Sequence, residues 1–234
     1  MKQRHGKKYR QAEEKIKPGT LYGLGEGVSV LKQTSSTKFD SSCEVHMNLG
    51  IDTKQADQNV RSTVVLPHGT GKKLRIIAFV PEVDKKTVLD MGAIKAGDDD
   101  LIDEIAKGFL DFDVAIAKPE MMRKLAKVAK ILGQKGLMPN PKAGTVSDDV
   151  SKLMDELQKG KIEFRADKLG NLHNTFGKVS FGEQQLVENL KAYLHAVNAV
   201  RPSTIKGTYI KSITITSTMG PGIKLNVQDA IRAV

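Results

Sequence analysis

Histidines, a cysteine, glycine–lysine pairs and a run of hydroxyls are the side chains of this sequence that could do chemistry, and their spacing decides which of them can. The five histidines, His5, His46, His68, His173 and His195, show no His-x-x-x-His or HExxH spacing that would converge on a metal. Cys43 is the single cysteine; it has no partner for an intrachain disulfide or a zinc knuckle and reads as a small buried residue. The run His68, Gly69, Thr70, Gly71, Lys72, Lys73 suggests a phosphate loop but fails as one. Leu66 stands where the first glycine belongs, and Lys73 stands where a hydroxyl should hold magnesium. The glycines at 23, 25 and 27 lack a preceding apolar strand and the dinucleotide spacing, so they read as a turn or helix entry. No GxSxG elbow is present. The expectation is a non-enzymatic protein with no metal, no cofactor and no small-molecule substrate.

Binding chemistry is better supported. The chain has 37 Lys and Arg against 27 Asp and Glu, a net charge of +10, which is the footprint of a polyanion binder. Aromatic residues make up only 5% and Trp is absent, so a reader of folded RNA fits better than a protein that stacks many unpaired bases. Ser212, Thr214, Thr216 and Thr218 alternate with Ile213 and Ile215, which puts a row of hydroxyls on one face of a strand. Ser42 and Glu44 alternate in the same way with Cys43, Val45 and Met47 over residues 42–49. Lys38 beside Phe39 offers a charge and an apolar platform. Lys2, Arg4, Lys7, Lys8 and Arg10, with no acid among the first ten residues, read as a basic arm that orders on an RNA partner. Two other readings stay open: a general RNA chaperone acting by charge, and an enzyme acting on nucleotides.

The elements that must position these residues divide in two. Residues 69–159 hold 16 basic and 15 acidic side chains, whereas residues 1–68 hold 11 against 7 and residues 160–234 hold 10 against 5. The excess charge thus lies on the two flanks, as if they formed one basic module around a nearly neutral insert. In the flanks, the strands at 42–49 and 212–218 and an amphipathic helix at 183–200 predict a small α+β domain. In the insert, short apolar runs at 74–80 and 114–117 alternate with helical patterns, which favours a parallel α/β domain. Helices are expected at 121–132, ended by Gly133, and at 147–159, capped by Ser147 and ended by Gly160. Residues 136–146, with Pro139 and Pro141 around Asn140, predict an extended turn poor in hydrogen bonds. Pro67, His68, Gly69 and Gly160 mark a pair of hinge strands. No stretch approaches the roughly 20 apolar residues of a membrane span and no apolar leader opens the chain, so a soluble cytoplasmic protein with no membrane partner is expected.

The segment 131–146, ILGQKGLMPNPKAGTV, resembles the signature of the L-one family of bacterial large-subunit ribosomal proteins. Other stretches match in order: Lys38 to Asp40 with Glu44 to His46 and Leu49 to Asp52; Asp57 to Arg61 with Leu66 to Gly69; Lys161 to Arg165 with Asp167 and Lys168; and Gly177 to Phe181 with Thr218 to Pro221. The resemblance implies a two-domain α/β fold. A discontinuous α+β domain, ferredoxin-like with a split β-α-β unit, would comprise residues 1–67 plus 161–234. A Rossmann-like three-layer α/β domain, residues 68–160, would be inserted in it. The implied partners are the 23S rRNA stalk, exit-site tRNA, the protein's own operon mRNA, which it would repress, and the rest of the large ribosomal subunit. The implied RNA surface is Lys38, Phe39, Ser42, Glu44, Lys168, Ser212, Thr216, Thr218, Met219 and Gly220. Secondary RNA contacts are expected from Lys135, Asn140 and Lys142 in the insert. The sequence departs from the family where it carries Ser42 in place of a common Thr and Gln134 in place of a frequent Pro.

Overall fold

The computed structural model describes residues 5–233, and they separate into two compact units: residues up to Gly71 together with Ile162 onward, and Lys72–Lys161. The chain enters the first unit through helices α1 (Lys7–Glu13) and α2 (Leu24–Thr34) and strands β1 (Ser42–Leu49) and β2 (Arg61–Val65). It then builds the second unit from β3 (Ile76–Phe79), α3 (Glu82–Asp90), β4 (Lys95–Gly97), α4 (Asp99–Ala106), β5 (Val114–Ala117), α5 (Ala129–Lys135) and α6 (Val150–Gln158). It returns through β6 (Lys161–Arg165), β7 (Asn171–Lys178), α7 (Glu183–Ala199), β8 (Ile210–Ser217), β9 (Ile223–Leu225) and α8 (Val227–Arg232).

In the first unit four strands form one sheet in the order β7-β1-β8-β9, and every neighbouring pair is antiparallel. The chain runs β7, α7, β8 with β1 lying between the two strands, which is a split β-α-β unit. Strict alternation along β1 buries Cys43, Val45, Met47 and Leu49, because successive side chains of a strand point to opposite faces. Val28 and Leu31 of α2 and Leu186, Leu190, Tyr193 and Val197 of α7 join those residues in one core. A separate two-stranded sheet pairs β2 with β6. Gly27, one of the glycines expected at a helix entry, lies inside α2, where a Cβ would come within 2.4 Å of Leu225 Cδ2. A side chain there would force the buried Leu225 to shift.

The second unit is a three-stranded parallel sheet, order β4-β3-β5, between two helical layers. Ile77, Phe79, Ala115 and Ala117 face the core shared with α4 and α5, while Ile76, Ala78 and Ile116 face Val88 of α3 and Leu153, Met154 and Leu157 of α6. All four residues of β3 are therefore buried, as a central parallel strand covered on both sides requires.

Several expectations need correction. The helix expected at 121–132 is broken into 3₁₀ turns at Pro119–Met122 and Lys124–Val128 before α5 begins, and α5 ends at Gly136 with φ 70°, not at Gly133. A left-handed cap suits glycine, which has no Cβ to clash. The cap of α6 is Asp149, whose side chain accepts from Lys152 N; Ser147 Oγ accepts from Asp149 N instead. The unit boundaries fall after Gly71 and Lys161, not at 67/68 and 160/161. The reason at the first is Asn189, fully buried on α7, which accepts from His68 N and donates to Gly69 O. That clamp holds residues 68 and 69 to the first unit. Lys2 and Arg4 of the expected arm lie outside the described residues, and Lys7, Lys8 and Arg10 belong to helix α1.

Candidate nucleic-acid interface

The apolar face of the four-stranded sheet is taken by helices, and the opposite face carries polar side chains that remain half exposed. The register sets them in rows. Glu44 lies between Thr175 and Thr216, His46 between His173 and Thr214, and Asn48 between Asn171 and Ser212. Lys224 on β9 extends the histidine row beside Thr214. At the first end Ser42 pairs with Lys178, whose Nζ donates to Ser42 Oγ at 2.9 Å.

Chain ends and turns finish this face. Phe39 precedes β1 and is 58% exposed, on a loop fixed by Asp40, which accepts from Ser180 N and Ser180 Oγ. Lys38, next to it, is exposed. Between β8 and β9, Met219 adopts φ 66° and is 75% exposed. A left-handed backbone is uncommon for a residue with a side chain, and here it turns an apolar side chain outward. Gly220 follows because nothing larger fits: a Cβ would lie 2.4 Å from Ser217 Oγ.

The hydroxyls expected to be free for a ligand are engaged within the protein. Thr216 Oγ1 lies 3.1 Å from both Ser217 O and Gly220 O and 3.3 Å from Pro221 O. Ser42 N donates to Thr218 Oγ1 at 3.0 Å, and Thr218 N donates to Ser42 O at 3.0 Å. Thr216 and Thr218 therefore shape the turn bearing Met219, and what they can offer a ligand is their remaining lone pairs. Ser212 is exposed at the other end of the strand.

The sequence-selected residues thus fall at two ends of one face. Ser42, Thr218, Met219 and Gly220 meet at one end, with Lys38 and Phe39 just before β1. Ser212 lies six residues along, opposite Asn48, on the order of 20 Å away at strand rise. Lys168 belongs to that second end, because it sits in the turn just before β7, where Asp167 Oδ1 accepts from Leu169 N and Asn171 N and Lys168 O accepts from Thr53 Oγ1. Local sequence reading misses five residues of this face: Lys178 at the first end, Asn171 at the second, and His46, His173 and Thr175 between them. The polar positions of β1 follow from alternation, whereas β7 has an irregular burial pattern, so its partners are not legible locally. Burial and the neighbouring His173 lower the pKa of His46, against Glu44, which raises it. Burial pushes the Cys43 thiol up to about 12, so it stays protonated.

In the second unit Lys135 is exposed on the last turn of α5. Asn140 and Lys142 belong to a turn that is rich in hydrogen bonds, contrary to expectation. Asn140 Oδ1 accepts from Lys142 N, Asn140 N donates to Thr145 Oγ1, and Ala143 N and Thr145 N donate to Asn140 O. Residues 121–147 hold six basic side chains and no acidic one. At the strand ends where open parallel sheets take ligands, the cations are already occupied. Lys118 pairs with Asp84, and Lys124 pairs with Asp98 and Asp99. Among the described residues no group of three or more His, Cys, Asp or Glu converges to hold a metal ion, and no helix is long and apolar enough to cross a membrane.

Comparison with known proteins agrees along most of the chain. A family model for the ribosomal protein L1p/L10e family matches residues 31–221. The chain is 51% identical over 227 residues to the large ribosomal subunit protein uL1 of Chloroflexus aggregans, covering 96% of both proteins. It is 50% identical to uL1 of Thermobifida fusca, over 95% of each, and 49% identical to uL1 of Onion yellows phytoplasma, over 95% of this chain and 97% of that protein. With this similarity running through the split β-α-β unit, the parallel insert and the open polar face alike, the chain belongs to the ribosomal protein L1p/L10e family.

Proposed function

We propose that this chain is a structural, non-catalytic protein of the large ribosomal subunit, working in the cytoplasm, and that the open face of its first unit binds the stalk region of 23S rRNA. The observation that carries the reading is the face itself. Hydroxyls, amides and imidazoles in register, with Glu44 among them, are bordered by Lys38, Phe39 and Lys178 at one end and Lys168 at the other. Short neutral donors and acceptors suit 2′-hydroxyls and bases, basic residues suit phosphates, and Phe39 and Met219 can pack on unstacked bases. The second unit adds weaker contacts to rRNA or exit-site tRNA through its acid-free basic segment, including Lys135 and Lys142. By this reading it moves as a lid on the two connections near Gly71 and Gly160, and it assists tRNA release. Repression of the chain's own operon mRNA follows if that mRNA presents the same fold as the stalk. Binding of a structured stalk fragment should exceed binding of bulk tRNA at the same ionic strength; equal affinity for both would favour a chaperone acting by charge. A nucleotide enzyme is disfavoured by Lys118 and Lys124, which would have to leave carboxylates before taking a phosphate.

A further inference from the structure

His46 and His173 are far apart in sequence and directly opposite each other in the β1–β7 ladder. Their Nδ1 atoms are 2.8 Å apart, with ring centroids 5.0 Å apart and planes tilted by 57°. The other nitrogen of each ring faces a carboxylate: Glu44 Oε2 is 3.6 Å from His46 Nε2, and Asp167 Oδ2 is 3.6 Å from His173 Nε2. Both imidazoles reach solvent, at 34% and 54% exposure.

We propose that His46 and His173 form a two-point clamp for a divalent cation of the zinc type, held through their two Nδ1 atoms, with water completing its coordination. Two zinc–nitrogen bonds of about 2.0–2.1 Å meeting at a tetrahedral angle place their nitrogens about 3.3 Å apart. The present pair needs only about half an ångström more, which side-chain torsions can supply while the ladder fixes both backbones. The carboxylates are placed as outer partners of metal-bound histidines commonly are, receiving the hydrogen bond of the ring nitrogen that does not bind metal. In the unloaded neutral pair one Nδ1 donates to the other. On loading, that proton leaves Nδ1 and the same ring gains one at Nε2 from solvent, facing its carboxylate, so no net proton is released. Closed structural zinc sites have four protein ligands, so two ligands make an exchangeable site that staples β1 to β7. This holds whether or not the face also binds RNA.

Calorimetric titration of the full chain with zinc chloride, paired with thermal melts with and without zinc, tests the clamp. One binding event and a zinc-dependent rise in Tm are expected, since a ligand that binds only the folded state stabilises it. His46→Gln and His173→Gln should each weaken zinc at least tenfold and remove the Tm rise, while His195→Gln, at an exposed lone histidine on α7, should change neither. A parent chain without a zinc-dependent shift, or Gln variants that bind like the parent, would overturn the proposal. Should a variant fail to fold, the histidine ring signals of the parent decide by NMR. Zinc-induced changes confined to His46 and His173 support the clamp, and changes elsewhere refute it.

Discussion

Met219 combines a backbone conformation that costs it energy with an exposed apolar side chain. Its left-handed backbone, φ 66°, is one that glycine adopts without a clash, whereas a side chain there costs on the order of 1 kcal/mol or more. Met219→Gly removes that strain but gives the unfolded chain more freedom, so stability should stay within about 0.5 kcal/mol of the parent in urea melts. Affinity for the stalk fragment should fall about tenfold, because an apolar contact of about 1.5 kcal/mol is lost. A variant that is equally stable and binds equally well would remove Met219 from the interface. The same scale explains one part of the site that sequence could not show. Alternation placed Thr216 and Thr218 on the polar face, but not that their hydroxyls bond to carbonyls and amides of the neighbouring turn, since those partners depend on how β8 folds back.

Among the elements, α7 and β3 carry the sharpest energetic consequences. Asn189 sits fully buried in α7 and bonds His68 N, Gly69 O and Phe176 O. Asn189→Ala would take the side-chain partner from the buried Phe176 carbonyl and from the less buried His68 N and Gly69 O, at a cost of about 1–3 kcal/mol. Faster amide exchange at His68 should accompany the loss of stability; unchanged exchange there would show that the clamp does not hold the connection. In the second unit Asp113 is held well below the usual carboxylate range by hydrogen bonds from Arg75 and Lys72 and by the Arg75 backbone. A depressed carboxylate stabilises the fold fully above its unfolded value, about 3.9, and that stability disappears as pH falls through the folded value. Asp113→Asn should therefore cost about 1–3 kcal/mol at pH 7, and the gap to the parent should narrow in melts below pH 4. A gap that stays constant with pH would contradict this. The elements themselves were largely legible, because β1, β5 and α7 follow simple periodicity and were located to within a residue. The stretch 119–135 was not: its apolar spacing fits a helix, yet Pro119 starts a 3₁₀ turn and a second turn intervenes before α5, a distinction that burial pattern does not encode.

At the scale of the whole molecule, charge by segment points to two chain ends forming one module, and the compact unit made of residues up to Gly71 and from Ile162 onward gives that module definite bounds. What charge could not supply was register. The meeting of His46 with His173, or of Asn48 with Asn171, requires knowing that β7 returns beside β1 after more than a hundred residues, and no local pattern contains that. Residues 1–71 joined by a short linker to 162–234 should fold and keep most of the rRNA affinity, because they hold the complete open face. An isolated second unit that binds the stalk fragment as tightly as the full chain would reverse the assignment. Small-angle scattering of the full chain should report a range of shapes that narrows with RNA if the insert is a lid, and one unchanged rigid shape would exclude it.

The central claim is that the open face reads RNA through fixed neutral groups in addition to charge, and the salt dependence of stalk-fragment affinity tests it most directly. Thr216→Val with Thr218→Val alters only uncharged groups: it removes the hydroxyls' free lone pairs together with the bonds by which they set the turn bearing Met219, and at 216 valine keeps the branched shape suited to a strand. At about 0.5–1.5 kcal/mol per neutral hydrogen bond, the double variant should lose about tenfold to a hundredfold in affinity. The slope of log affinity against log salt should match the parent's, whereas Lys38→Ala with Lys168→Ala should flatten it, since released counterions set that slope. Parent-like affinity in a double valine variant shown by circular dichroism to be folded, or a loss that appears only as a change of slope, would contradict the claim.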